Sequence, residues 1–429
     1  MISIVIFILF LITGTWLFTK NFRKIIRNIN LGKEVDRSDN PLLRWKTMAR
    51  VALGQSKMVT RPVAGIMHIF IYAGFIIINI EVLEIIIDGI FGTHRIFNFM
   101  GSFYNFLIGS FEILALLVTI GCVVFLIRRN ILRLKRFRMR EMTKWPRSDA
   151  NIILITEIAL MLFFTTMNAC DYLLQGMGNE HYIKAGSFPV SSIWATLFSG
   201  FSAHSLIFIE RFCWWAHIIG ILAFMNYIPY SKHFHIILAF PNVYYSNLNP
   251  KGAFTNLESV TAEVKLMLDP TATAAAPQRF GAKDVFDLTW KQLMDAYSCT
   301  ECGRCTSVCP ANMTGKLLSP RKIMMDTRDR LEEVGKNIDR NKEFKDDGKT
   351  LLNNYILPEE LWACTTCNAC VEACPVLIDP LSIIVDMRRF LVMEQGSSPA
   401  ELNGMFTRME NNAAPWPFAQ SERMNWAKE

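Results

Sequence analysis

The chain has 429 residues, 51% of them hydrophobic, and a formal net charge of +7. It is too apolar for an ordinary soluble protein of this length, and the composition points to membrane helices plus a separate domain. Nucleic-acid binding, the other reading of a basic chain, is set aside because the basic runs flank apolar spans and form no separate soluble patch.

Residues Met1 to Phe18 form an almost unbroken apolar run. A signal peptide starts with basic residues and ends at a small-residue cleavage site. Here Lys20, Arg23, Lys24 and Arg27 follow the run, so the reading is an uncleaved helix over 2–19 with its N-terminus outside. Further apolar spans at 63–87, 104–127, 150–174 and 205–230 are each long enough to cross a bilayer. The connections at 20–61 and 128–147 are rich in Lys and Arg, whereas those at 88–103 and 175–204 carry only Arg95 and Lys184. The positive-inside rule then places the C-terminus on the cytoplasmic side of a bacterial or archaeal inner membrane.

Ligand and ionisable residues inside spans are costly and are functional candidates by default. His68 lies about two turns into the second span from its basic end. His217 lies within the fifth span, and His233 and His235 lie at its cytoplasmic end. If that helix continues, His217 and His235 project to one face roughly 27 Å apart, although Pro229 is placed to bend it. Imidazoles from two facing helices can clamp a haem iron axially. His68 and His235 sit at matching depth and are paired as axial ligands of a haem. For His217 an interhelical hydrogen bond is an equally good reading. His94, His181 and His204 fall in or beside outer loops, where a surface position is the default. Glu81, Glu84, Glu112, Glu157, Asp171 and Glu210 are candidates for proton exchange. For each alone, an interface position or an ion pair such as Glu210 with Arg211 is the plainer reading.

After the fifth span the chain turns polar. Residues 1–240 form the membrane domain and 241–285 a connector, with Thr271 to Pro277 its least structured part. Cys299, Cys302, Cys305 and Cys309 precede Pro310, and Cys364, Cys367, Cys370 and Cys374 precede Pro375. Each run reads C-x2-C-x2-C-x3-C-P, the spacing of two-cluster bacterial ferredoxins, in which the fourth cysteine ligates the other cluster. One [4Fe-4S] cluster is therefore assigned to Cys299, Cys302, Cys305 and Cys374, and the other to Cys364, Cys367, Cys370 and Cys309. Structural zinc prefers two separated pairs of ligands, and disulfides need an oxidising compartment. Cys122, Cys170 and Cys213 read as buried small side chains. The ferredoxin domain covers 286–395, with helices expected over Pro320 to Val334 and Pro380 to Glu394 and a solvated charged insertion at 336–349. The tail 396–429 carries Trp416 and Trp426, which suit a partner-docking surface or a fold-back on its own domain. The sequence has no dinucleotide fingerprint, P-loop or nucleophile elbow.

The segment Ile228 to His235 (IPYSKHFH), with His217 eighteen residues before its last residue, resembles the last helix of the membrane cytochrome b subunit of respiratory nitrate reductase. Cys299 to Lys316 and Cys364 to Val376 resemble the iron–sulfur subunit of heterodisulfide reductase. The whole is similar to a fusion of the two modules. The resemblance implies an all-α membrane protein: a five-helix cytochrome b bundle followed by a cytoplasmic, mainly helical two-cluster ferredoxin domain. It implies haem b and a cytoplasmic cysteine-rich iron–sulfur partner subunit. In the cytochrome family the second helix carries two histidines ten residues apart, whereas here His68 has Ile78 at that position. A second haem is then left with His217 and, as its remaining candidate partner, His204. The function expected is electron transfer between the quinone pool, haem b, two [4Fe-4S] clusters and a cytoplasmic redox partner. The alternative is a membrane-bound iron–sulfur sensor or assembly factor without turnover, which needs no histidines at matched depth. A transporter with an accessory ferredoxin is disfavoured, because the spans have few broken-helix signals.

Overall fold

The computed structural model describes residues 1–250, 252–269, 271 and 279–428. All of the expected irregular stretch except Thr271 lies outside the described residues. Among the described residues, two isolated bridges, Lys33 with Thr289 and Leu352 with Ile356, are the extended pairings, and the architecture is helical.

Five helices are long and apolar enough to cross a membrane: α1 (Ile2–Ile29), α2 (Pro62–Phe91), α3 (Ser102–Leu126), α4 (Trp145–Gly176) and α5 (Ala203–Tyr227). Their ends follow local chemistry. Pro62 and Pro146 sit in the first turns of α2 and α4, where a missing amide costs nothing. Ser202 caps α5 by accepting from the Ser205 amide. Phe7, Ile78, Phe111, Val118, Phe164 and Ile218 meet in the bundle core.

Helix α1 runs ten residues beyond its expected end at 19 because its polar turns have partners. Lys24 Nζ lies 2.7 Å and Arg27 Nη1 2.5 Å from the Asp339 carboxylate, while Ile25 and Ile29 are buried. The fifth span does not continue to His235. It ends at Tyr227, and Pro229, which has no amide to donate, begins a break of two short 3₁₀ turns. Ser231 caps the second turn by accepting from the His233 amide, and α6 (His235–Tyr244) starts in a new direction. His217 and His235 therefore do not share a helix face. The boundary expected at 240 falls inside α6, and Ala282 and Val285, expected in the connector, are buried in the ferredoxin core.

That core extends into the bundle. Ile25, Ile29, Ile228, Phe234 and Leu238 belong to the same buried cluster as Leu293, Ile323, Leu331, Ile384 and Met387. It is formed by α7 (Trp290–Ser298), α8 (Pro320–Asn341) and α9 (Pro380–Met393). Gly32 makes the closest approach: a Cβ there would lie 2.6 Å from the Trp290 amide, beside the Lys33–Leu288 backbone bond of 2.7 Å. Helix α8 runs seven residues beyond Val334, into the stretch read as a charged insertion, and Arg330 pairs with Asp284 and Asp347 at 2.8 and 2.6 Å. The tail helix α10 (Ala400–Asn412) has no buried residue.

Candidate functional site

The two cysteine runs adopt one backbone conformation twice. Glu301 and Thr366 have φ of 54° and 56°, and Gly303 and Asn368 have 70° and 60°, at equivalent positions. The left-handed residues turn the chain back on itself between cysteines. Short helices Arg304–Val308 and Ala369–Ala373 then carry the third cysteine of each run. The fourth cysteine is extended, and the following proline excludes a helical conformation there. Cys299, Cys302, Cys305, Cys370 and Cys374 line one cavity. Charge neighbours place the eight in two overlapping groups: Cys299, Cys302, Cys374 and Cys370 act on Cys305, whereas Cys309 and Cys367 act on Cys364.

Burial pushes the Cys299 thiol up to about 11 and the Cys370 and Cys374 thiols up to about 12. Neighbouring sulfurs add to the effect at all three. Thiols so placed lose their protons to a cationic centre rather than to water. Backbone amides already face several of the sulfurs, those of Cys299, Cys364, Cys370 and Cys374 among them. Ile378 N lies 3.3 Å from Cys374 Sγ, and Thr366 N lies 3.4 Å from Cys364 Sγ.

The two runs differ in their surroundings. The first is clamped under the bundle. Arg304 donates to the Lys57 and Met58 carbonyls at 2.8 and 3.2 Å. The fully buried Arg321 donates to the Arg136 carbonyl at 2.6 Å and to Glu141 at 2.7 Å. Gly303 is required beside it, because a Cβ there would meet Arg321 Nη1 at 2.5 Å. The second run is held from below by Arg388, which donates to the Cys364 carbonyl at 2.5 Å, and Cys367 is exposed.

Beside the first run stand the paired histidines. The His68 and His235 ring centres are 6.4 Å apart and their planes are tilted by 47°. His235 Nδ1 bonds the Lys232 carbonyl at 3.0 Å, which leaves Nε2 free to face His68. A metal–imidazole bond of about 2.0 Å puts a ring centre roughly 3 Å from the metal, so two opposed imidazoles on one iron have centres about 6 Å apart. The pair fits that requirement. His233 stands 5.6 Å from His235, centre to centre, and 3.9 Å from Glu157. Burial, with His235 and His68 beside it, pushes His233 down to about 3.

The residues expected for a second haem do not meet. His217 and His204 lie thirteen residues apart on α5, roughly 20 Å at 1.5 Å per residue. His204 is exposed. His217 Nδ1 bonds the Leu160 carbonyl at 3.0 Å, and Ile78 is packed into the core with Phe164 and Ile218. The half of the bundle away from the cysteine runs instead holds a buried polar network, whose carboxylates sequence reasoning singled out without their partners. The Arg95 guanidinium lies 2.6 Å from Asp171 and donates to Asn168 at 2.9 Å, and Asn168 donates to Glu112 at 3.2 Å. His94, expected at the surface, is only 11% exposed in its side chain, 3.7 Å from Asp171 and 5.2 Å from the His181 ring. Glu210 pairs with Arg211. Glu81 is 3% exposed, and its Oε2 has no hydrogen-bond partner among the described residues. The signal available for the network was Arg95, the one strongly basic residue of the 88–103 connection.

Helices long enough to cross a membrane, joined to two ferredoxin-spaced cysteine runs, define a membrane-anchored iron–sulfur electron-transfer protein. Residues 298–378 match the 4Fe-4S dicluster domain family. The chain is 29% identical to the probable iron–sulfur-binding oxidoreductase FadF of Bacillus subtilis, over 88% of this chain and 54% of that protein. It is 28% identical to the EtfAB:quinone oxidoreductase of Syntrophomonas wolfei, over 92% of this chain and 55% of that protein. Over 33% of this chain and 35% of that protein, it is 28% identical to one of the subunits of the dihydromethanophenazine:CoB–CoM heterodisulfide reductase of Methanosarcina acetivorans. The chain thus spans about half the length of the first two relatives. No solved structure matches it significantly.

Proposed function

We propose that the chain is the quinone-reactive electron-transfer subunit of an oxidoreductase complex. It exchanges electrons between the membrane quinone pool and a cytoplasmic partner, a cysteine-rich iron–sulfur subunit of heterodisulfide reductase type. The membrane domain is a cytochrome b bundle that runs to the end of α6 at Tyr244, the connector ends before Ala282, and the two-cluster domain runs to 395. The N-terminus is outside and the ferredoxin domain in the cytoplasm. The single observation that carries this reading is the opposed pair His68 and His235, 6.4 Å apart, at the end of the bundle against which the first cysteine run is clamped. A sensor or assembly factor needs no such pair.

In this reading His68 and His235 hold one haem b through Nε2. Cys299, Cys302, Cys305 and Cys374 hold one [4Fe-4S] cluster, and Cys364, Cys367, Cys370 and Cys309 the other. When bound, these groups supply one-electron redox steps at centres that need no proton. The protein's own residues do the rest. Lys232 fixes the His235 ring through its carbonyl, Arg388 and the amides of Thr366 and Ile378 orient the cysteines of the second run, and the bundle core excludes water. The outer half, with Ile78 packed in place of a histidine, fits no second haem, and we assign one. Quinone chemistry involves two protons, for which the outer network around Arg95 and Glu81 supplies buried carboxyls. The quinone assignment is supported by the similarity to EtfAB:quinone oxidoreductase. The deciding experiment is the optical and EPR spectrum of the purified protein. One b-type haem and two [4Fe-4S] signals are expected, with the haem oxidised and reduced on adding quinone and quinol. Two clusters without haem would move the assignment to the sensor.

A further inference from the structure

One residue touches both kinds of centre. The Lys232 carbonyl accepts from His235 Nδ1 at 3.0 Å, and its Nζ lies 2.5 Å from Glu301 Oε2. Glu301 immediately precedes Cys302, is 3% exposed, and offers its other oxygen to Arg328 Nη2 at 2.8 Å. Lys232 Nζ also donates to the Pro146 carbonyl at 2.6 Å, at the start of α4. Its amide donates to Asp149 at 3.1 Å, and Asp149 further accepts from the Ser231 hydroxyl at 2.7 Å. Lys232, Glu301 and Asp149 each keep less than a tenth of their side chains exposed. The second run has Thr366, an uncharged residue, where the first has Glu301. The Lys232–Glu301 joint therefore belongs to the first run; the second meets the 20–61 connection through Lys57, whose Nζ donates to the Glu372 carbonyl at 2.7 Å.

A buried ion network is a poor way to gain stability. Its desolvation cost is large, and well-packed apolar groups in its place are often as good or better. Its best-attested use is to fix register between elements. Here the elements are the 3₁₀ turn that aims His235 and the left-handed turn that aims Cys302. Hydrophobic contact between the modules is already supplied by Phe234 and Leu238 against the ferredoxin core, and such contact tolerates small slips. A salt link with both oxygens of one carboxylate bound does not.

We propose that Lys232 and Glu301 are positioning residues that hold the first cysteine run in register with His235. The cluster of Cys299, Cys302, Cys305 and Cys374 is thereby the one that exchanges electrons with the membrane centre. The other run, with Cys367 exposed, is the face toward the partner. The proposal rests on the haem and cluster reading above. The exchange is of a single electron between two centres, with no bond made or broken and no proton moved. Residues between the centres act on it only through distance, orientation and potential.

The test uses the full chain in nanodiscs, with Lys232→Met and Glu301→Gln, the conservative Lys232→Arg, and the swapped pair Lys232→Glu with Glu301→Lys. Iron and haem contents should stay at wild-type levels in Glu301→Gln and Lys232→Arg. In Lys232→Met and Glu301→Gln, electron equilibration between haem and clusters after a reducing pulse should slow by about tenfold or more, the usual scale for loss of an outer-shell partner. Amide exchange should rise together over 228–238 and 299–309. The EPR signal of the first cluster should shift and that of the second should not. Lys232→Arg, and in part the swapped pair, should restore the rate. Wild-type equilibration rates in both single variants would overturn the proposal, as would a shift confined to the second cluster. If Lys232→Met fails to assemble, Glu301→Gln decides by the same readouts. A wild-type protein without haem would sink the haem reading alone. Exchange over 228–238 in Glu301→Gln would then still decide the register claim, and unchanged exchange there would overturn it.

Discussion

Cys374 lines the same cavity as Cys305, although it closes the other cysteine run. The proline after each fourth cysteine keeps that cysteine extended, and in the proposed assignment its sulfur completes the neighbouring run's cluster. Cys374→Ser is therefore expected to remove the cluster bound by Cys299, Cys302 and Cys305, and Cys309→Ser the cluster bound in the 364–370 run. EPR of the two variants checks this. Loss of each variant's own-run cluster instead would reverse the assignment.

His68→Ala and His235→Ala should each abolish the same b-type absorbance and leave both cluster signals in place. His217→Ala should retain it, because that ring already bonds the Leu160 carbonyl and faces packed core. Reduced-minus-oxidised spectra decide. A second haem band that disappears only in the His217 variant would show that the outer half does hold one.

The outer network makes a stability prediction. Arg95 is buried against Asp171, Asn168 and Tyr104, so Asp171→Ala strands a guanidinium in low dielectric. Breaking a buried pair from one side costs about 3–5 kcal/mol. Thermal unfolding in detergent should show a large loss for Asp171→Ala. The double variant Asp171→Leu with Arg95→Met should recover part of it. A mild effect of the single variant would mean that water reaches the pair.

Glu141 gives the joint under the bundle a pH dependence. Burial pushes its carboxyl up, but Arg321 and Ser319 outweigh burial and hold it below its ordinary value. A carboxyl depressed in the folded state stabilises above its unfolded pKa, and that contribution is lost as pH falls through the folded value. Amide exchange over 135–144 should therefore rise in acid below about pH 4.5, the ordinary glutamate range. In Glu141→Gln it should be high already at neutral pH and lack that acid step. An unchanged acid step in the variant would assign it to another group.

Much of this arrangement is legible from residue order, because its signals are local. Apolar runs of membrane length locate α1 to α5, and cysteine spacing with a following proline locates the ferredoxin turns. His68 and His235 were legible as a pair because depth from the basic end is simple counting along a helix. The joint was not. Glu301 and Lys232 are an ordinary surface-type pair in sequence, and their meeting depends on the break at Pro229. The network around Arg95 was legible only in part: Asp171 and Glu112 stand out as carboxylates inside spans, but His94 beside Arg95 reads as a loop until those helices bring them together.

Helix α10 buries none of its residues, and Trp426 is 76% exposed, so the segment after 396 adds little to the ferredoxin core. Large aromatics left in water are more at home in an interface, where Trp is enriched among the residues that dominate binding. Deleting 400–429 should leave the haem and both cluster signals at wild-type strength, because every proposed ligand lies before 375. The same deletion should remove the cysteine-rich partner from the purified complex and stop electron flow between quinol and the soluble side. Single Trp416→Ala and Trp426→Ala variants should weaken the association by more than 1 kcal/mol, about fivefold or more in dissociation constant, if they are anchors. Exposed Cys367 marks the neighbouring surface that must come close to the partner's own centre. Unchanged co-purification after the deletion would move the dock from the tail to that surface.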